Sequence, residues 1–254
     1  MKIQQLNENT YLLKEACFCY LLVGSEKAML IDCGAGTKDL RPTIRKIIGT
    51  KELIVVLTHG HLDHFGGGRF FEKIHIPKAD LGIYHLQNSE VLRKWALNRF
   101  PFFVRPFRKM LREKNPENVV WFDDESVFEL GGRRIEVLST PGHTPGSVCY
   151  MDRKNRLFFC GDTLSSWGIL LNLDYSEPPE VFRRSQMAIK DVIGDFDRIL
   201  PGHHRIDIEK ILVDDYICLT RKAENNEGEY ASTEFGLCRI ATHRDLILFY
   251  KICG

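Results

Sequence analysis

Four side chains that can ligate metals fall within six positions of the chain, His59, His61, Asp63 and His64, in the stretch LIVVLTHGHLDHFGGG from Leu53 to Gly68. Imidazole and carboxylate donors suit zinc, and also iron or manganese. Alternation along an extended segment points His59 and His61 the same way. A sharp turn before Gly66-Gly67-Gly68 is expected to bring Asp63 and His64 round from the other side, so that one segment can serve two adjacent cations. Further along, His143 in TPGHTPGS, Asp162 in CGDT and the His203-His204 pair in LPGHH each sit just beyond a strand-like run. Asp32, in LIDCG, ends another. It is read either as a group that orients a ligand or as a turn or helix-capping aspartate.

The elements that must position these groups follow from periodicity. Leu53–Leu57, rich in Val and Ile, has the pattern of a buried strand. Before it, Tyr11–Leu13, Phe18–Val23 and Ala28–Ile31 read as an antiparallel meander. Leu40, Ile44, Ile47 and Ile48 recur at helical spacing and stop at Gly49. Asn118–Phe122 and Arg134–Ser139 are strand-like, and Ser147–Asp152 with Arg156–Cys160 reads as a hairpin. Pro178-Pro179 starts a helix that carries Phe182, Ile189 and Ile193 and closes at Gly194. A short strand, Arg198–Leu200, leads to His203. A last helix is expected with Ile208, Ile211, Leu212 and Leu219 on one face, ahead of a β-type run, Leu246–Ile252. Strands alternating with helices argue for a layered α/β fold.

Composition narrows the function. With 254 residues and 44% hydrophobic side chains the chain can bury a sizeable core. It is expected to form a single domain over residues 1–254, with an insertion at about 85–117. The best apolar stretch, Ala16–Gly24, is too short to span a bilayer and reads as a strand rather than a signal-peptide core, so a cytoplasmic location and no membrane association are expected. The eight cysteines are scattered without C-x-x-C pairing and read as reduced thiols. A net charge of +1 gives no global attraction to nucleic acid.

The insertion is the exception to that charge balance. Between Arg93 and Lys114, the basic residues Arg93, Lys94, Arg99, Arg105, Arg108, Lys109, Arg112 and Lys114 are opposed only by Glu113, and Trp95, Phe100, Phe102, Phe103 and Phe107 are interleaved. Helical patterns run over about Glu90–Asn98 and Val104–Glu113. Packed helices with solvated basic faces are the plainer account. A lid selecting an anionic or apolar substrate is the sharper one.

Taken together, His59, His61, Asp63 and His64 with His143 in TPGHTPGS, Asp162 in CGDT, His203 in LPGH and Asp32 in LIDCG resemble the metallo-β-lactamase superfamily, over residues 30 to 204. The resemblance implies an α/β protein with a four-layer αββα sandwich and a dinuclear site on one edge. It implies two divalent metal ions, zinc foremost, with iron or manganese as the other choices. The first would take His59, His61 and His143 and the second Asp63, His64 and His203. Asp162 would bridge both, and Asp32 would support the ligating histidines. His204 is the ambiguous neighbour of His203. His75, His85 and His243 match nothing and are read as structural.

Such a site explains why no Ser-His-Asp triad is visible. Divalent cations lower the pKa of bound water from about 15.7 to about 7 and steady the oxygen that becomes negative. The expected activity is attack of metal-bound hydroxide on an ester, thioester or lactone carbonyl of a small, acyl or anionic substrate. Asp162 would fix the metal spacing and Asp63 would take or return a proton. Two other classes remain open by resemblance. One is a phosphodiesterase or ribonuclease-type member. The other is a mononuclear iron persulfide dioxygenase using only His59, His143 and Asp162.

Overall fold

The computed structural model describes residues 2–90, 118–123 and 126–252. The basic and aromatic residues at 91–117, with the helical patterns read over them, lie outside the described residues, as does any statement about a lid. The chain divides into two compact units, Met1–Ile135 and Glu136–Gly254.

The first unit is built on a seven-stranded sheet whose strands lie side by side in chain order. Strands β1 (Lys2–Asn7), β2 (Thr10–Lys14), β3 (Phe18–Val23) and β4 (Lys27–Ile31) form the antiparallel meander. The sequence offered no signal for β1, because KIQQLN has little apolar content; it is an edge strand, held by pairing to β2 from Lys2↔Lys14 to Asn7↔Thr10. Helix α1 (Arg41–Ile48) then carries the chain to β5 (Glu52–Val56), parallel to β4. Pro42 at the start of α1 fits its fixed φ, and Gly49 ends it at φ 61° with its N–H donating to Arg45 O. Ile44 and Ile48 are buried, and each such side chain contributes roughly 1.5–3 kcal/mol to the packing. The short helix α2 (Leu62–Phe65) and a 3-10 turn, Gly66–Phe70, follow β5. Strand β6 (Ile74–Pro77), helix α3 (Leu81–Gln87) and β7 (Val119–Phe122) complete the sheet, and β8 (Val127–Glu129) is a short further strand. Strand β6 and helix α3 carry no counterpart in the periodicity reading. Leu13, Leu21, Leu30, Ile44, Leu57 and Phe65 lie in the core of this unit.

Strand β9 (Arg134–Ser139) carries the chain into the second unit. It pairs antiparallel with β10 (Val148–Asp152), which forms a hairpin with β11 (Leu157–Gly161). After β12 (Gly168–Leu171) and helix α4 (Pro179–Val192), β13 (Arg198–Pro201) lies parallel to β11. Helix α5 (Ile211–Glu224) precedes β14 (Glu229–Thr233), β15 (Gly236–His243) and β16 (Leu246–Tyr250). These three strands and β12 form a four-stranded sheet in the order β12-β16-β15-β14. Phe158, Phe182, Ile189, Tyr216, Leu219 and Leu248 belong to the core of this unit.

Boundaries differ from expectation: Ile193 lies in a 3-10 turn, Ile193–Asp195, just past α4, and β16 stops at Tyr250. Ile208 is not on the last helix but in a bridge to Ile199, three residues ahead of α5. The apolar spacing is the same either way, and the backbone pairing to β13 decides it. The described cysteines are free thiols, Cys218 half-buried and the others buried. Among the described residues no helix is long and apolar enough to cross a membrane.

Candidate metal centre

In the first unit, β5 runs straight into Thr58 and His59, and the chain turns at Gly60 so that His61 stands at the N-terminal boundary of α2. Asp63 and His64 lie on α2 itself, which replaces the sharp turn expected from the three glycines. The rings of His59 and His61 are 4.6 Å apart and those of His59 and His64 4.1 Å apart. Asp63 Oδ2 lies 3.7 Å from His64 Nε2.

The glycines act through close backbone approach. A Cβ on Gly67 would lie 2.1 Å from Cys33 O, and one on Gly66 would lie 2.4 Å from Ala35 O. This lets Cys33 N donate to His64 O at 2.8 Å and Gly67 N to Gly34 O at 2.9 Å. The loop after β4 is thereby tied to α2, and Asp32 is carried with it. Asp32 sits at φ 58°, a left-handed conformation that aspartate tolerates better than most residues. Its own N–H donates to Val56 O at 2.8 Å.

The buried Asp32 carboxylate accepts three hydrogen bonds at one end of the cluster. Thr58 N donates to Oδ1 at 2.8 Å, Thr58 Oγ1 donates to Oδ2 at 2.9 Å, and His64 Nδ1 donates to Oδ2 at 2.8 Å. A carboxylate only accepts, so His64 carries its proton on Nδ1 and its lone pair on Nε2. Thr58 has one hydroxyl proton and gives it to Asp32, so its oxygen accepts from His59 Nδ1 at 3.0 Å. His59 is therefore also the tautomer with its lone pair on Nε2. Asp80, buried on the approach to α3, accepts the Gly60 N–H at 2.7 Å and braces the backbone between His59 and His61. Neither Thr58 nor Asp80 was singled out by sequence reasoning. Thr58 could have been found from its place beside His59; Asp80, twenty residues on, gave no local signal.

Cys17 also approaches Asp32 and His64, with all three donor atoms within 4.8 Å. Burial, with the hydrogen bond to Cys19, pushes the Cys17 thiol well up. Metal binding uses the thiolate, so a cation there would have to displace this proton.

The second unit gathers His143, Asp162 and His203. His143 follows β9 in a loop closed by Thr140 N to Ser147 O (2.9 Å) and Gly142 N to Thr144 O (3.0 Å). Gly142 packs so tightly on α4 that a Cβ would meet the Phe182 ring at 2.3 Å. Because β11 and β13 are parallel with Gly161 opposite Pro201, Asp162 and His203 leave adjacent strand ends, and Gly202 N donates to Gly161 O at 2.7 Å. His143 Nδ1 donates to Leu170 O at 2.8 Å, which again leaves the lone pair on Nε2.

Asp162 stands between two imidazoles. Its Oδ2 is 3.7 Å from His143 Nε2 and its Oδ1 is 3.6 Å from His203 Nε2. Hydrogen bonds of this type span 2.7–3.2 Å. Two ligand atoms around one tetrahedral zinc, each about 2.0–2.2 Å from it, stand roughly 3.4 Å apart. The spacing, the Nε2 lone pairs and the mix of imidazole and carboxylate fit divalent cations. His204 turns elsewhere: at φ 65° its ring lies 5.4 Å from that of Trp167. Burial, and then the adjacent His203, pushes the His204 imidazole below its ordinary value. His75 and His85 are engaged locally, His75 Nδ1 with Val55 O at 3.0 Å and His85 against the Tyr84 ring.

Comparison with known proteins agrees with this donor chemistry. Residues 13–211 match the family model of the metallo-beta-lactamase superfamily. The acyl-coenzyme A thioesterase MBLAC2 of Gallus gallus is 28% identical, over 72% of this chain and 71% of that protein. The hydroxyacylglutathione hydrolase GloC of Haemophilus influenzae is 30% identical, over 59% of this chain and 68% of that one. A solved metallo-beta-lactamase family protein from Thermus thermophilus superposes with a TM-score of 0.67, over 92% of this chain and 100% of that one, at 18% identity. The expected α/β metallo-β-lactamase fold and metal-dependent hydrolase class both stand on these matches. The chain belongs to the metallo-beta-lactamase superfamily.

Proposed function

We propose that the protein binds a pair of divalent cations, zinc foremost, and uses them to hydrolyse the thioester of a small acyl substrate. The observation that carries the reading is Asp162, which presents one carboxylate oxygen to each of two imidazoles at 3.6 and 3.7 Å. A carboxylate so placed suits a bridging role. On this reading, which follows the resemblance, His59, His61 and His143 hold one cation and Asp63, His64 and His203 hold the other. Among carbonyl substrates, a thioester is favoured by the resemblance to proteins named acyl-coenzyme A thioesterase and hydroxyacylglutathione hydrolase.

When bound, the cations supply Lewis acidity, which brings the pKa of water to about 7 and polarises the carbonyl oxygen. The chain's own groups do the rest. Asp32 and Thr58 hold His64 and His59 in the Nε2 lone-pair tautomer, so no proton rearrangement precedes binding. Asp63, with a 44% exposed side chain, can exchange protons with solvent. It takes the proton from water and returns it to the leaving thiol as the C–S bond breaks, yielding acid and thiol. The free thiols of the chain favour a reducing, cytosolic setting.

Metal analysis combined with a panel of acyl thioesters, lactones and phosphodiesters tests the reading. About two zinc ions per chain with thioester turnover supports it. About one iron with oxygen uptake would replace it with a persulfide dioxygenase, and turnover of phosphodiesters alone with a phosphodiesterase.

A further inference from the structure

Away from these donors, helix α5 and the β15–β16 hairpin bring together Cys218, His243 and Asp215. Cys218 Sγ lies 3.9 Å from His243 Nδ1, and His243 Nε2 lies 3.2 Å from Asp215 Oδ1. The thiol and the carboxylate meet opposite nitrogens of one ring. A metal-binding set would converge on a point; here the imidazole stands between its partners, the arrangement of a nucleophile, a base and a group that orients the base. Two features fix it. His243 pairs with Leu246 across a two-residue turn in which Arg244 adopts φ 51°, as tight hairpins require. Arg244 Nη1 then binds the other Asp215 oxygen at 3.1 Å. Asp215 and Cys218 are three residues apart on α5 and so share a face.

We infer that Cys218 is a nucleophilic thiol that exchanges with small anionic disulfides, with His243 as its base and Asp215 as a positioning residue. Cys218 is the one described cysteine that is not buried. Arg221 and Lys222, one turn further along α5, supply positive charge near it, and Lys222 Nζ donates to Thr242 O beside His243. Asp215 is engaged with His243 and Arg244 and Asp214 with Lys190, while Asp245 in the hairpin turn is the other acid beside His243. In the reaction the Cys218 S–H proton passes to His243 Nδ1 and the thiolate attacks one sulfur of the disulfide. A new S–S bond forms as the old one breaks, and the departing thiolate takes the proton from His243. The disulfide is the oxidant, so one thiol is released for each Cys218 modified.

The test is to incubate the full chain with glutathione disulfide between about pH 6 and 9 and to follow each cysteine peptide by mass spectrometry. Cys218 should be modified first, at least about tenfold faster near pH 7 than in the urea-unfolded chain. His243→Ala and His243→Gln should each slow it by about tenfold while leaving the rate of the urea-unfolded chain unchanged, Asp215→Asn should give a smaller loss, and neutral hydroxyethyl disulfide should react more slowly than glutathione disulfide. The wild-type profile needs no variant to fold. Equal rates in the folded and unfolded chain, or a folded-chain rate unchanged in both His243 variants, would overturn the assignment, and equal rates for the two disulfides would overturn the anionic preference.

Discussion

Asp32 Oδ2 accepts the Nδ1 proton of His64 at 2.8 Å, and through Thr58 the same carboxylate sets the ring of His59. One buried acid thus fixes two imidazoles. Replacing Asp32 by Asn keeps the size but turns an amide NH2 toward groups that are themselves donors. We predict that Asp32→Asn weakens metal affinity about 10–100-fold, read by competition against a chelator. Unchanged affinity would show that Asp32 serves only the turn at the end of β4.

Asp162→Ala removes the group that faces both His143 and His203. On the two-cation thioesterase reading, occupancy of the second cation should fall below one per chain and thioester turnover should drop by orders of magnitude, since the remaining proposed ligands would no longer hold two cations at one spacing. Metal analysis and kinetics on the same preparation check this; retention of two metals and full rate would sink the bridging role.

His203 and His204 should separate cleanly. His203 stands 3.6 Å from Asp162, whereas His204 packs on Trp167. His203→Ala should cost the second metal while His204→Ala leaves both in place. The reverse pattern of stoichiometries would mean that the ligand is the neighbour.

Gly67→Ala should destabilise the protein by about 1–3 kcal/mol, because the added methyl meets a backbone carbonyl 2.1 Å away that has no side-chain freedom to yield. Thermal unfolding measures it, and an unchanged Tm would show that the α2 loop relaxes. Gly49→Ala provides the contrast: no atom lies within 4 Å of its Cβ, and only the cost of its positive φ remains.

The sequence by itself determined the donor inventory and the strands that deliver it. His59, Asp162 and His203 each follow an apolar run bounded by glycine or proline and His143 follows an alternating one, and such runs are legible because a buried or half-buried strand needs that apolar pattern whatever its partners. Strands whose existence depends on a neighbour were not legible: β1 is polar and survives by pairing with β2, and β14 is half-exposed and survives by pairing with β15. Only the tertiary structure decided which ring nitrogen carries each proton, since that depends on Asp32, Thr58 and Leu170 O, up to 32 residues away from the ring they address. It likewise decided that the glycines after His64 serve a backbone contact with Cys33 and Ala35, and that His243, silent in any motif, meets Cys218 and Asp215. Spacing along a chain records what a strand or helix presents locally. Hydrogen bonds between distant segments are fixed only when packing brings donor and acceptor within about 3 Å.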